Sequence, residues 1–198
     1  MAGLLADTAF WTPAQSNEVW LVDLPRLLAR AGRATAADAR SVLDSASAHP
    51  VEKVAALQHW AAQEIRYSGI SMGKGEGYTH HPGTMSYADR CGVCKDKAGM
   101  LITLMRTAGY DVWPALTMAG SRVEEIPADQ FNHSVVAWRR ADGAYTMLDP
   151  TWVPYSTELW SSAEQEQHYV IGTPEGEGRM QIPYSPPKSH GLTVTSRV

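Results

Sequence analysis

Cysteine is scarce in this chain: 198 residues hold two, Cys91 and Cys94. One pair cannot build the disulfide framework of a small secreted scaffold. A basic block is also missing. Seventeen Lys and Arg stand against 21 Asp and Glu, a net charge of −4, and no basic stripe offers itself to nucleic-acid phosphates. Apolar runs are too short to span a membrane. The opening MAGLLADTAFWTPAQ has no positive residues ahead of its apolar ones and makes a poor secretory signal. No D-x-D-x-D-G loop suggests calcium, and no repeat of useful length is present. What remains is an ordinary globular composition, 44% hydrophobic and 19% charged, in a chain long enough for one sizeable core.

The first third reads helical. Pro25-Arg-Leu-Leu-Ala-Arg-Ala starts on proline and stops at Gly32, and a second stretch follows Thr35 to about Ala48. From Val51 to Tyr67, Val51, Val54, Leu57, Trp60, Ala61 and Ile65 recur at helical spacing. Residues 68–90, with five glycines and a proline, predict one long loop, and such loops are often functional. Its glycines do not form G-x-G-x-x-G, so a phosphate cradle is not indicated. A helix is predicted from Cys94 to about Ala108, stopped by Gly109. Strands are expected at Asp111–Met118, Phe131–Arg139 and Tyr145–Leu148, the last two joined by a turn at Ala141-Asp142-Gly143. A short polar helix is expected around Ser162–His168. The tail from Pro174 is turn-rich, ends strand-like at Gly191–Ser196, and stops as if cut from a longer protein.

Three readings compete for D-R-C-G-V-C-K-D-K-A-G at 89–99. A thioredoxin-like dithiol needs a strand running into the first cysteine, and here a glycine-rich loop precedes it. Structural zinc needs four ligands. Beyond the two cysteines only His80 and His81 are near, and adjacent histidines point differently. The third reading is a thiolate nucleophile. Cys94 opens the predicted helix, where free N–H groups and the positive dipole end lower a thiol pKa. Gly92 allows a tight turn before it. Lys95 and Lys97 add positive potential, Asp96 suits the dipole, and Ala98 and Gly99 permit close packing of this helix on a sheet.

A nucleophilic cysteine needs a base, and the base an orienting acid. His133 begins one strand and Asp149 ends the next. If Ala141-Asp142-Gly143 is a three-residue loop with Gly143 left-handed, Arg140 pairs with Ala144. Asp149 then faces Val135 and His133 faces Thr151. The two side chains fall on one face as diagonal neighbours. A two-residue loop would set them on opposite faces.

The three segments R-C-G-V-C-K-D-K-A, F-N-H-S-V-V-A and Y-T-M-L-D-P-T-W together resemble the bacterial transglutaminase-like superfamily, as in the middle domains of large multi-domain bacterial proteins. The resemblance covers about residues 50–155. It implies an α+β, papain-like core: a nucleophile-bearing helix packed on an antiparallel sheet, here with extra N-terminal helices. It implies Cys94 as nucleophile, His133 as base and Asp149 as orienting acid, with Cys91 a bystander. Residues 1–198 are then expected to form one domain: a helical N-terminal region (1–67), a catalytic core (68–155) and a turn-rich extension (156–198).

The chemistry implied is acyl transfer at a glutamine carboxamide or peptide amide through a thioester, resolved by water or by an amine. The alternative is a silent binding or structural module of the same fold. No cofactor and no metal is expected. The partner expected is a protein or peptide substrate, with neighbouring domains of a longer parent chain, neither nucleic acid nor a membrane span, and an exported parent. Tyr78, His80, His81 and Trp60 are the candidate substrate-binding residues. Trp60, Tyr67 and Tyr78 are the candidates for a second oxyanion donor. The loop 119–130 would form the other cleft wall, and Trp113, Trp138, Trp152 and Trp160 are expected to pack.

Overall fold

A computed structural model describes residues 50–69, 77, 80–81, 83–124, 130–151, 164–187 and 194–197. The helices expected before residue 50, Trp152, Trp160 and the strand-like 191–193 lie outside these residues. In chain order the described elements are α1 Pro50–Glu64, β1 Arg66–Tyr67, α2 Gly83–Asp89, β2 Cys91–Gly92, α3 Cys94–Thr107, β3 Val112–Thr117, β4 His133–Arg139, β5 Tyr145–Leu148, β6 His168–Ile171 and β7 Met180–Gln181. The last five form an antiparallel sheet in the order β5-β4-β3-β6-β7. This is an α+β fold, with helices on the sheet rather than alternating with its strands.

The sheet is covered on both faces. On one side Val112, Val136, Trp138 and Leu148 join Val54, Leu57, Ala61 and Ile65 of α1 and Ala98, Leu101, Ile102 and Met105 of α3. On the other, Ala115, Val135, Ala137 and Met147 pack with Tyr169, Ile171 and Ile182. Alternate residues of β4 therefore enter two cores, which is why its run H-S-V-V-A-W is buried throughout. Trp138 packs edge-on against Tyr110, and Trp113 lies against the second core under the Arg106 guanidinium, as expected of packing tryptophans.

The β4–β5 register is the one the turn chemistry requires. Arg139 pairs with Tyr145 and Val136 with Leu148, Arg140 N–H donates to the Ala144 carbonyl, and Gly143 is left-handed at φ 82°.

Four expectations need correction. The helix from residue 51 ends at Glu64, because Arg66–Tyr67 leaves it to pair in parallel with Cys91–Gly92. Residues 68–90 are not all loop: Gly83–Asp89 is a helix. It is closed by Arg90, whose φ of 52° puts a non-glycine in the left-handed region, and whose N–H donates to Ser86. Cys91–Gly92 is itself a two-residue strand, which begins at the first cysteine rather than running into it; pairing with β1 supplies what local sequence did not signal. Finally, His168 starts β6 rather than ending a helix. Its Q-H-Y-V-I run contributes apolar side chains to a sheet, and pairing with β3 overrides the polar residues before it.

Candidate active site

Cys94 stands at the first turn of α3 and Cys91 three residues before it in β2, and both are half-buried. The residue that begins the helix is Val93, which cannot cap with its own side chain. Asp96 does so instead, accepting the Val93 N–H at 2.9 Å. Gly92 makes this possible. A Cβ there would lie 2.5 Å from the Asp96 Cβ, so the tight approach of β2 to the helix start admits only glycine.

The charged trio after Cys94 is buried, and each side chain is committed. Lys95 donates to the Gly77 carbonyl at 3.2 Å. Asp96 also accepts from the His81 backbone N–H at 3.2 Å and pairs with His81 Nδ1 at 2.9 Å. Lys97 donates to the Ala62 carbonyl at 2.8 Å and to the Ile65 carbonyl, closing the C-terminal end of α1. Burial lowers the Lys97 pKa to about 8, with Asp149 opposing the fall. The two lysines thus tie α3 to its neighbours instead of serving the thiolate, and Gly99 faces His80, whose ring would lie 2.9 Å from an added Cβ, rather than the sheet.

His133 and Asp149 meet as the register demands. His133 Nε2 lies 3.0 Å from Asp149 Oδ2, and both side chains are buried. Asp149 is itself fixed. Its Oδ1 accepts the Thr151 N–H at 2.8 Å, and its carbonyl accepts Gln58 Nε2 from α1 at 3.2 Å. With Nε2 engaged, Nδ1 is the nitrogen left for Cys94, to which the ring also hydrogen-bonds. Burial pushes the Cys94 thiol up. The His133 hydrogen bond and charge, with the backbone groups of Ser134 and Lys95, outweigh it and hold the thiol below its ordinary value. For His133, burial acts downward, but the hydrogen bonds of Asp149 and Cys94 and the charges of Asp149 and Glu164 raise it to about 10. Each group thus favours the charged form of the other.

Glu164 carries no signal in the sequence. Its Oε1 lies 3.3 Å from His133 Nε2 and its side chain is fully buried. It sits in S-S-A-E-Q-E-Q-H, a polar run that reads as a solvated helix face, and nothing local marks it. The ligand atoms of His133, Asp149 and Glu164 fall within 4.8 Å of one another, a spacing open to a metal ion. The Nε2 an ion would take is the one facing both carboxylates, which calls for a proton there.

The other sequence candidates are dispersed. Trp60 packs against the core and stacks near Tyr87, with the Arg90 guanidinium 5.0 Å from its ring. His80 and His81 lie against the first turns of α3. Burial and the Lys95 charge take His80 well below its ordinary pKa. Tyr78 is outside the described residues. Tyr67 is more than half exposed, and its phenol is raised by burial and by the negative charges of Cys94 and Asp149. It therefore borders the reactive groups. The base of the 119–130 loop is tied by Asn132 to Ala119 and by Arg179 to Val123.

The family model described as "Transglutaminase-like superfamily" matches residues 36–156. No curated protein matches the chain. Among solved structures, a candidate protease from Parabacteroides distasonis shares the fold, with TM-score 0.54 and 17% identity, over 83% of this chain and 31% of its own. A candidate cysteine protease from Cytophaga hutchinsonii matches with TM-score 0.44 and 22% identity, over 59% of this chain and 36% of its own. The periplasmic domain of TgpA from Pseudomonas aeruginosa, bound to ethylmercury, matches with TM-score 0.41 and 20% identity, over 71% and 51%. The chain spans about half or less of the length of each.

Proposed function

The chain belongs to the transglutaminase-like superfamily, and on that premise we propose that it is a cysteine-dependent acyl-transfer enzyme acting on a glutamine carboxamide or a peptide amide. The observation that carries this reading is His133, buried between Asp149 and the half-buried Cys94 at a helix start. In the proposed reaction the Cys94 thiolate attacks the carbonyl carbon, and the carbonyl π electrons move onto oxygen. The Cys94 N–H, first in its helix and without an acceptor inside it, faces the oxyanion. Such a donor contributes about 3 kcal/mol. Tyr67 fits the second donor, and the segment around His80 and His81 one wall of the cleft. His133 Nδ1 gives its proton to the leaving nitrogen, the C–N bond breaks, and a thioester remains. Water or an amine then attacks, His133 takes its proton, and the thiolate leaves. Asp149 holds the ring orientation and balances its charge.

The test is the alkylation rate of each cysteine against pH with iodoacetamide, read by peptide mass, followed by assay of ammonia or amine release from glutamine peptides. Cys94 is expected to react fast well below pH 8 while Cys91 does not, and His133→Ala is expected to erase the difference. Slow and equal alkylation of both would sink the enzyme reading in favour of a silent module.

A further inference from the structure

The reaction proposed above uses two partners of His133, but three groups face it, two of them fully buried carboxylates. Cys94 comes from α3, Asp149 from the end of β5, and Glu164 from the residues before β6. Lys97 and Tyr67 act on this cluster electrostatically through Asp149. The topology explains the meeting. His133 starts β4, opposite Thr117 at the end of β3, and Thr117 in turn pairs with Tyr169 near the start of β6. Asp149 follows the end of β5 on the other flank. One end of the sheet thus carries a carboxylate on either side of the histidine strand. The Glu164 backbone is held in place: its carbonyl accepts the Gln167 N–H at 3.1 Å, while the Glu166 N–H donates to the Ile182 carbonyl just past β7 and the Ile182 N–H donates back to the Gln167 carbonyl. A buried carboxylate is strongly disfavoured unless a positive group faces it, and the imidazole ring 3.3 Å away is such a group when protonated.

Resting on the active-site reading above, we propose that Glu164 is a positioning residue for His133: beside the Nε2–Asp149 hydrogen bond its carboxylate adds a second negative charge 3.3 Å from Nε2, which favours the ring orientation that presents Nδ1 to Cys94 and keeps the ring protonated while the thiolate is present. The leaving nitrogen needs that proton, so Glu164 sets the alkaline limit of the working pair. Losing it shifts the imidazolium–imidazole midpoint downward, because one of two nearby negative charges is gone.

The experiment is a pH titration of the His133 ring by 15N resonance in the full chain, assigned against His133→Ala. Glu164→Gln keeps shape and removes charge. It is expected to lower the His133 midpoint by about 1–2 pH units. The alkaline fall in Cys94 alkylation by iodoacetate, an anion drawn by the imidazolium, should move with it. Glu164→Asp withdraws the carboxylate by one methylene and is expected to give a smaller drop in the same direction, which keeps the test open if the glutamine variant fails to fold. A high wild-type midpoint that neither folded variant moves overturns the role of Glu164 and leaves the active site standing. A wild-type midpoint in the ordinary histidine range, unmoved by Cys94→Ser, overturns the thiolate–imidazolium pair and Glu164 with it.

Discussion

The two ends of α3 are built on different physics. From Ala98 to Met105 the helix is aliphatic, and Leu101, Leu104 and Met105 are fully buried in the core beneath the sheet. Its first turn is just as buried, yet it consists of Lys95, Asp96 and Lys97. Apolar burial is non-directional and fixes a helix against a sheet with room to slide. Buried charges tolerate no such freedom, since each must find its partner at hydrogen-bond distance. Lys97 holds α1, Asp96 holds the His81 segment and caps the helix, and Lys95 holds Gly77. The apolar end makes the helix stable; the charged end determines where Cys94 stands.

That comparison can be tested by substitution, from the largest effect down. Cys94→Ala is expected to lower turnover by about 10³-fold or more with the melting temperature unchanged; a full-rate variant would refute the nucleophile. Leu101→Ala, at the aliphatic end, is expected to cost about 2–5 kcal/mol in urea unfolding while the alkylation pH profile of Cys94 stays in place. A shifted profile would mean the two ends are not separable. Lys97→Met leaves the Ala62 and Ile65 carbonyls without their donor and is expected to cost about 1–3 kcal/mol at neutral pH. It also carries a pH signature. Folded Lys97 loses its proton near pH 8, whereas the unfolded side chain keeps it to about 10.5. The unfolded state therefore binds more protons between these values, and wild-type stability relative to Lys97→Met is expected to rise across that window. A flat difference would place Lys97 in water. The smallest effect is His81→Ala, expected to cost about 1 kcal/mol and to slow Cys94 alkylation slightly by loosening Asp96.

Much of the site was legible before any fold was known, and for identifiable reasons. Helical periodicity with a glycine stop set α3 to within a residue. A three-residue turn with left-handed Gly143 fixed a register, and the register alone brought His133 and Asp149 to one face. Local sequence failed where pairing was distant. The β1–β2 ladder joins residues 25 apart along the chain (Arg66 with Cys91), and two-residue strands carry no periodicity to read. The K-D-K run reads only as positive potential and a dipole partner at the helix start, because nothing local shows that carbonyls of another helix and a histidine of a preceding segment will meet it.

Helical period and turn chemistry were enough to bring together the candidate triad, because they rest on short-range rules of backbone conformation, while the fold class followed from the family resemblance carried by the Cys, His and Asp segments. Glu164 beside His133 and Lys97 at the end of α1 were decided by tertiary structure alone. They depend on sheet order and on burial, which convert ordinary surface residue types into paired charges only once distant segments have been brought together.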